Sequence, residues 1–526
     1  MENSTQLIQE LQNRCALQEQ QIAELMAKLS WYEEQFRLSQ KRRFGRISEQ
    51  SDQYQLQIFN EAEALAKPSE PEPELEKITY RRRKQKGKRD AELKDLPEEN
   101  IEYRLAAEEQ VCPNCGEALH EMSTRTRREI KIIPAQALVV NHISYVYACR
   151  RCEREGISTP IITAPMPEPP LPGSLASPSA IAHIMTGKYV DGLPLYRQEK
   201  SLSRLGIALS RQTMANWMMK PSELWFEPLY GRLHELLQKR DVLHGDETTL
   251  QVLHEEAREA TSKSYMWLYR TGREEPAIVL YDYQTTRAGK HPLRFLSGFK
   301  GYLHVDGYAG YNGLPGITLV GCWAHARRQF DEALKALPKD KQNADVAARH
   351  GLVFCNRLFA LERELKGVSD EERYRERLKR GRPIIDEFKA WLDYQRPRVL
   401  PKSAFGQAIG YCLNQWDKLV AYLADGRLEL DNNRAERSIK PFVIGRKGWL
   451  FSNTPRGARA SAVIYSIVET AKENGLNPFT YLVHLFERLP NIDVTDRDAL
   501  DELLPWSPSL PAGCRIRKAG EQKPAS

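Results

Sequence analysis

Between residues 241 and 323 the chain alternates in a way that few folds can satisfy. Three β-rich runs with short turns come first: 241–253 (DVLHGDETTLQVL), 264–269 (SYMWLY) and 277–283 (AIVLYDY). A helical stretch over about 289–299 follows, then two more strand-like runs, 302–306 (YLHVD) and 317–323 (ITLVGCW). β-Branched and aromatic residues dominate each run, as a pleated, half-buried surface requires. Three sequential strands, a helix and two further strands fit the RNase H-like sheet, in which the first and fourth strands lie side by side and parallel. Asp246 falls within the first of these runs and Asp306 at the end of the fourth. The order therefore predicts two neighbouring carboxylates.

Neighbouring carboxylates suit phosphodiester chemistry. Moving a phosphodiester calls for two divalent ions, about 3.5–4 Å apart, one at the nucleophile and one at the leaving oxygen. Hard ions such as Mg²⁺, or Mn²⁺ in its place, take oxygen ligands. One shared carboxylate plus one more for each ion is the least set that holds them, and Asp246 is the candidate for the shared ligand. The third acid is expected on a helix laid against the sheet. Residues 431–441 (DNNRAERSIKP) suit that part: the asparagines can cap, Pro441 closes a short helix, and Glu436 lies one turn before Lys440. Beyond it Arg446, Lys447 and Trp449 offer cations and an aromatic ring to a DNA strand. The opposing reading is plain. The chain has 70 acidic residues, and an Asp at a strand end is often only a turn former. Pattern alone leaves Glu436 one choice among several.

The rest of the chain is modular. Ile8, Leu11, Cys15, Gln18, Ile22, Leu25, Leu29, Tyr32 and Phe36 recur at steps of three and four. That seam needs a partner: a second copy in a coiled coil, or the protein's own core. Residues 81–89 (RRRKQKGKR) form a basic run inside a linker, open either to DNA phosphates or to solvent alone. Cys112-Pro-Asn-Cys115 and Cys149-Arg-Arg-Cys152 are two CxxC pairs, each able to turn both sulfurs towards one ion. One structural Zn²⁺ in a zinc-ribbon-like module accounts for all four; unlinked buried cysteines or a redox pair are the alternatives. The β-rich 137–148 between the pairs reads as a hairpin arm. Residues 194–205 and 210–219 read as helix–turn–helix, with Ser210 as cap and Arg211, Gln212 and Asn216 exposed near the start of the second helix. Such a helix can enter the major groove or serve packing alone. Cys322 and His325 have metal-pair spacing, yet only two ligands are visible. Burial of Cys322, with His325, Arg327 and Arg328 near DNA phosphate, competes with a second zinc site.

The strings LHGDETTLQVL, HVDGYAGYN, GCWAHARRQF and DNNRAERSIKPFVIGRKGWLF resemble the hallmark blocks of bacterial transposases of the insertion-sequence-66 family. The resemblance covers nearly the whole chain, ending with a block near ETAKENGLNPFTYL. It implies a DDE triad in which Asp246, Asp306 and Glu436 carry the chemistry: hydrolysis at the element's ends and 3′-OH strand transfer into target DNA. Gly245 and Gly448 depart from the family pattern but touch no acid. The resemblance also implies that residues 328–428, helical in pattern, are an insertion between the fifth strand and the Glu436 helix. Its partners would be double-stranded DNA at element ends and target, a second protomer, and accessory proteins of the same element.

The expected fold is multidomain α+β. Its parts are a coiled coil (1–50), a linker with the basic run (51–105), the four-cysteine module (106–158), a Pro-rich linker (159–178) and a helix–turn–helix-like segment (179–238). They continue with the core strands (239–327), the helical insertion (328–428), the Glu436 helix and basic segment (429–456), a C-terminal helical block (457–505) and a disordered tail (506–526). Nothing resembles a membrane span or a signal peptide, so a cytoplasmic, nucleoid-associated protein is expected. A net charge of +7 favours a polyanionic partner without requiring one. Two rivals share these features: a decayed transposase that only binds DNA, and a non-mobile nuclease of the same fold.

Overall fold

The computed structural model describes residues 136–149, 161–273, 276–338 and 345–516, with the single residues Gln18 and Arg154. The heptad segment other than Gln18, the linker 51–105 with its basic run, and Cys112, Cys115 and Cys152 lie outside the described residues. What is described falls into two compact units that divide between Met166 and Pro167.

In the smaller unit, β1 (Val146–Ala148) pairs antiparallel with β2 (Ile161–Thr163), Tyr147 opposite Ile162. Ser144 Oγ donates to the Ala164 carbonyl at 2.7 Å and extends the pairing. The hairpin expected over 137–148 is thus completed by residues that composition had placed in a Pro-rich linker. The remainder of that segment is no free linker either: Leu171 and Ala176 are buried in the core of the larger unit, and the Pro170 carbonyl accepts from Trp225 Nε1 at 2.9 Å. Proline prevents a regular ladder, but it does not prevent burial.

The larger unit opens with four helices, α1 (Pro178–Tyr189), α2 (Leu195–Arg204), α3 (Arg211–Pro221) and α4 (Glu227–Leu237). Ser210 caps α3 by accepting from the Thr213 amide. The sheet follows: β3 (Val242–Gln251), β4 (Lys263–Thr271), β5 (Val279–Gln284), then, after the short α5 (Lys290–Phe295), β6 (Gly301–Val305) and β7 (Ile317–Gly321). Its spatial order is β5-β4-β3-β6-β7. β3 runs antiparallel to β4 and parallel to β6, with His244 level with His304. Gly301, at φ +148°, starts β6 where a Cβ would strike the Asp241 carbonyl.

After β7 the described elements are helices: α6 (Trp323–Ala336), α7 (Ala347–Glu364), α8 (Asp370–Glu376), α9 (Arg382–Gln395), α10 (Ala404–Asn414) and α11 (Trp416–Val420). Trp323 begins α6, where the pattern had placed the end of a strand, and residue 328 lies inside this helix rather than at a boundary. These helices own a core, with Trp323, Phe330, Phe354, Phe388, Cys412 and Tyr422 buried together. Arg377, wholly buried, donates to Glu362 and to the carbonyls of Tyr422, Asp425 and Leu428, so the charge is spread over a full set of acceptors.

The chain then returns to the sheet as α12 (Asn433–Trp449) and α13 (Pro455–Glu473), followed by α14 (Pro478–Arg488) and α15 (Arg497–Asp501). α12 runs straight through Pro441, against the short helix expected. Proline removes one N–H, but Ala435, Ile439 and Phe442 on the same helix are buried in the main core. The Tyr281 hydroxyl also donates to the Ser438 carbonyl in the affected turn. Packing outweighs the local penalty. α13 solves the edge problem of β5. Its Ser466 Oγ accepts the Tyr281 amide at 2.8 Å, and Thr470 Oγ1 both accepts from Val279 N and donates to Val279 O at 3.0 Å. The expected tail is ordered where it is described: Leu510 and Cys514 are buried, and the Asn477 amide donates to the Cys514 carbonyl at 2.7 Å. Among the described residues no helix is long and apolar enough to cross a membrane.

Candidate active site

Three separate elements bring acids to one place. Asp246 lies in the middle of β3, Asp306 follows the last residue of β6, and Glu436 stands in the first turn of α12. Because His244 and His304 pair across parallel strands, Asp246 and Asp306 lie at the same level, each two residues beyond the pair. Burial pushes the Asp246 carboxyl well above its ordinary range, and the carboxyls of Glu247, Asp306 and Glu436 push it the same way. One contact opposes them: its Oδ1 accepts the Glu247 amide at 2.8 Å. Asp306 Oδ1 accepts the Tyr308 amide at 2.9 Å and so shapes the turn that leaves β6. Glu436 Oε1 is buried and has no hydrogen-bond partner.

Glu247 is a fourth acid, but it is already engaged. Arg287 Nε donates to it at 2.8 Å and Tyr311 OH at 2.7 Å. Burial raises its pKa, Asp306 adds to that, and these two donors oppose it. Arg287 in turn lies 3.7 Å over the Tyr308 ring. Glu247 braces β3 beside the acids.

A second buried layer fixes the Glu436 helix to the strand. Asn432 was expected to cap; its side chain does not. Instead Nδ2 donates to the Gly245 carbonyl at 2.8 Å, Oδ1 meets His244 Nδ1 at 2.9 Å, and its backbone amide donates to Cys322 Sγ at 3.2 Å. Asn432 thereby ties β3, the β7–α6 corner and the start of α12 to one point, one and two residues from Asp246 along one chain segment and four from Glu436 along another. His244 stacks on His304 with ring centroids 4.3 Å apart. Burial lowers His244 to about 4, and it lowers His304 as well, so both rings are neutral at pH 7. Burial also works against ionisation of Glu429, yet Arg434, with His244 and Arg273 near, holds that carboxyl below its usual range. From sequence, Asn432 reads as a cap and Cys322 as a buried or metal-spaced thiol, while His244, His304 and Glu429 are not singled out; the bonds of Asn432 to His244, Gly245 and Cys322 span more than a hundred residues, and only the fold joins them.

The helical segment reaches the site too. Gln415 Nε2 donates to the Gly307 carbonyl at 3.4 Å, and Lys418 Nζ to Asn312 Oδ1 at 2.7 Å, on either side of the turn after Asp306. A Cβ on Gly307 would come within 3.0 Å of the Tyr411 ring, so glycine lets the two elements close.

The residues expected to meet DNA are dispersed. Arg211, Gln212 and Asn216 are exposed on α3, with Arg211 3.4 Å from Glu199. Arg327 and Arg328 are exposed on α6, and Arg327 Nε donates to Asn356 at 2.8 Å. Lys440, Arg446 and Lys447 are half-buried along α12, and Arg446 Nη1 reaches Thr249 Oγ1 at 3.3 Å. Trp449 does not offer an open face: its ring packs edge-on against Phe442, centroids 5.6 Å apart, with Lys188 over it. His325, expected near DNA phosphate, lies beside Glu436. Its Nδ1 stands 4.0 Å from Glu436 Oε1, and with Cys322 Sγ these ligand atoms lie within 4.8 Å of one another. Of the zinc candidates only Cys149 is described, half-buried just after β1.

Comparison with known proteins gives the class: this is a DNA-acting transposase with DDE, zinc-finger and C-terminal parts. Residues 173–460 match the family described as "Transposase IS66 family" and residues 466–506 its C-terminal element. Residues 109–153 match the "zinc-finger binding domain of transposase IS66", and residues 31–101 the "Transposase C of IS166 homeodomain". The chain belongs to the IS66 transposase family. Relatives include three uncharacterized proteins of Sinorhizobium fredii (strain NBRC 101917 / NGR234). Protein y4jD is 32% identical, over 77% of this chain and 79% of its own length. Protein y4hP is 28% identical, over 78% and 76%, and y4qI is 31% identical, over 72% and 70%.

Proposed function

We propose that this transposase cuts at the ends of its element by hydrolysis and joins the freed 3′-OH to target DNA, with Asp246, Asp306 and Glu436 as its catalytic carboxylates on an RNase H-like core. The observation that carries the reading is the convergence of three acids from β3, the end of β6 and α12, close enough that Asp306 and Glu436 both oppose ionisation of Asp246. The sheet order, with β3 central and parallel to β6, supports an RNase H-like core.

The donor set fits hard divalent cations. Asp306 and Glu436 lie near enough to Asp246 to oppose its ionisation, and Glu436 Oε1 is buried with no hydrogen-bond partner. Asp246, Asp306 and Glu436 would hold two Mg²⁺ or Mn²⁺ ions, which when bound lower the pKa of water and neutralise the leaving oxygen. The chain's own residues arrange the rest. Asn432 and the Glu247–Arg287–Tyr311 bracing keep the acids in register. Arg328 and Arg437, exposed near the site, and Lys440 further along α12 are suited to hold the DNA backbone. Arg211, Gln212 and Asn216 on α3 would read the element ends, and Gln415 and Lys418 flank the strand's approach to Asp306. No covalent protein–DNA intermediate is required, so no Ser or Tyr nucleophile is assigned. Cys112, Cys115, Cys149 and Cys152 would hold one structural Zn²⁺, and residues 1–50 would pair protomers so that two ends are held together.

The test is cleavage and joining of paired element-end duplexes in Mg²⁺. Wild type should nick and join, and Asp246→Asn should lose at least about a hundredfold in rate. Cleavage that survives Asp246→Asn refutes the assignment; cleavage without joining in the wild type identifies a nuclease instead.

A further inference from the structure

The geometry points to His325 Nδ1 as a direct ligand of the divalent ion that Glu436 holds, making the site a three-carboxylate, one-imidazole centre. The inference rests on the metal-dependent reading above and adds a residue to it.

Two buried polar atoms, His325 Nδ1 and Glu436 Oε1, each lack a hydrogen-bond partner. They face each other at 4.0 Å. That is too long for a hydrogen bond between them, so neither satisfies the other. Leaving both unpaired in a buried place costs free energy unless something lies between them. A divalent cation with ligand distances of about 2.1 Å on each side spans a gap of up to roughly 4.2 Å.

The ring is not free to drift. His325 sits in the first turn of α6, and the corner before it is anchored on both sides. The Trp323 amide donates to the Leu430 carbonyl at 3.1 Å and its Nε1 to the Leu419 carbonyl at 2.8 Å. The Asn432 amide donates to Cys322 Sγ. The bonds to Leu430 and Asn432 run to the very segment that launches α12, so His325 and Glu436 are positioned by a common frame. Cys322 Sγ lies close as well, but it already accepts that amide and is wholly buried; it walls the site. Preorganised ligands of this kind are what a metal centre requires of its scaffold. A nitrogen donor should also shift preference from Mg²⁺ towards Mn²⁺.

The experiment uses the full chain with Mn²⁺ as probe and pulsed electron paramagnetic resonance as readout, so no activity is needed. Bound Mn²⁺ should show the ¹⁴N modulation of a coordinated imidazole, and biosynthetic ¹⁵N-histidine labelling should replace it, which tests the claim without any variant. His325→Gln should abolish the modulation and weaken Mn²⁺ binding about tenfold or more, while Asp246→Asn should remove the site. Mn²⁺ that binds in an Asp246-dependent way without nitrogen coupling overturns the inference and leaves the acid triad standing; the gap is then bridged by water. Coupling that persists in His325→Gln also overturns it. Mn²⁺ that binds without regard to Asp246 removes the underlying metal reading together with this one.

Discussion

Replacing Asn432 by Ala would test whether the Glu436 helix is held in place by its buried amide. The change removes two bonds, Nδ2 to the Gly245 carbonyl at 2.8 Å and Oδ1 to His244 Nδ1 at 2.9 Å, and leaves the backbone bond to Cys322 intact. Both orphaned partners are buried, out of reach of bulk solvent. Each unsatisfied buried group costs roughly 1–3 kcal/mol, so the variant should lose about 2–6 kcal/mol. That is a large share of an ordinary domain's ~5–15 kcal/mol. Asn433 is the natural control: its Nδ2 donates to Asp431 Oδ2 at a half-buried position, and Asn433→Ala should cost under about 1 kcal/mol. Urea denaturation followed by Trp fluorescence measures both. Under mild conditions where Asn432→Ala remains folded, end cleavage should fall as well, because Glu436 loses its tie to the Asp246 strand. The reasoning fails if Asn432→Ala is no less stable than Asn433→Ala.

Three further outcomes follow from the same geometry. Asp246→Asn should stabilise the metal-free protein by about 0.5–2 kcal/mol. Burial and three acids raise its pKa, so the wild type loses stability as pH rises through that folded value, and the neutral amide does not; a lower melting temperature for the variant refutes this. Thr470→Val should cost roughly 2–4 kcal/mol, since it strands both backbone groups of Val279 at the covered sheet edge; a loss within ~0.5 kcal/mol by thermal denaturation would show that the edge is satisfied otherwise. For His244 the folded pKa is depressed to about 4 from 6.5 by burial, so its contribution to stability is present above 6.5 and is lost as pH falls towards 4. A loss of about 3 kcal/mol across that window is expected, and urea midpoints at pH 7 and pH 4.5 should converge in His244→Gln.

What sequence can show about such a site depends on how far apart the interacting residues lie. The strands were legible because pleat and burial write a local pattern, and the order of those strands already set Asp246 beside Asp306. Glu436 was different. Nothing within its own helix distinguishes it from other acids, and only the family blocks singled it out. The local rules failed where a distant partner outweighed them. Asn432 looks like a cap because a neighbouring backbone amide is the usual donor to its side-chain oxygen, yet His244 and Gly245 present buried groups that an amide in that position satisfies. Pro441 looks like a helix end because it lacks one N–H, yet the buried face of α12 continues on both sides of it. Residues 159–178 and 506–516 look like linker and tail because proline and glycine mark irregular backbone, which says nothing about whether Leu171, Ala176 or Cys514 is buried. His325 shows the same dependence on distant partners. Two arginines follow it closely, which favours a phosphate, but the corner bonded to Leu430 and Asn432 turns its ring towards Glu436. An acid site assembled from three elements is therefore legible in sequence only as far as each element's own pattern reaches, and the buried bonds of Asn432 that join its elements are not.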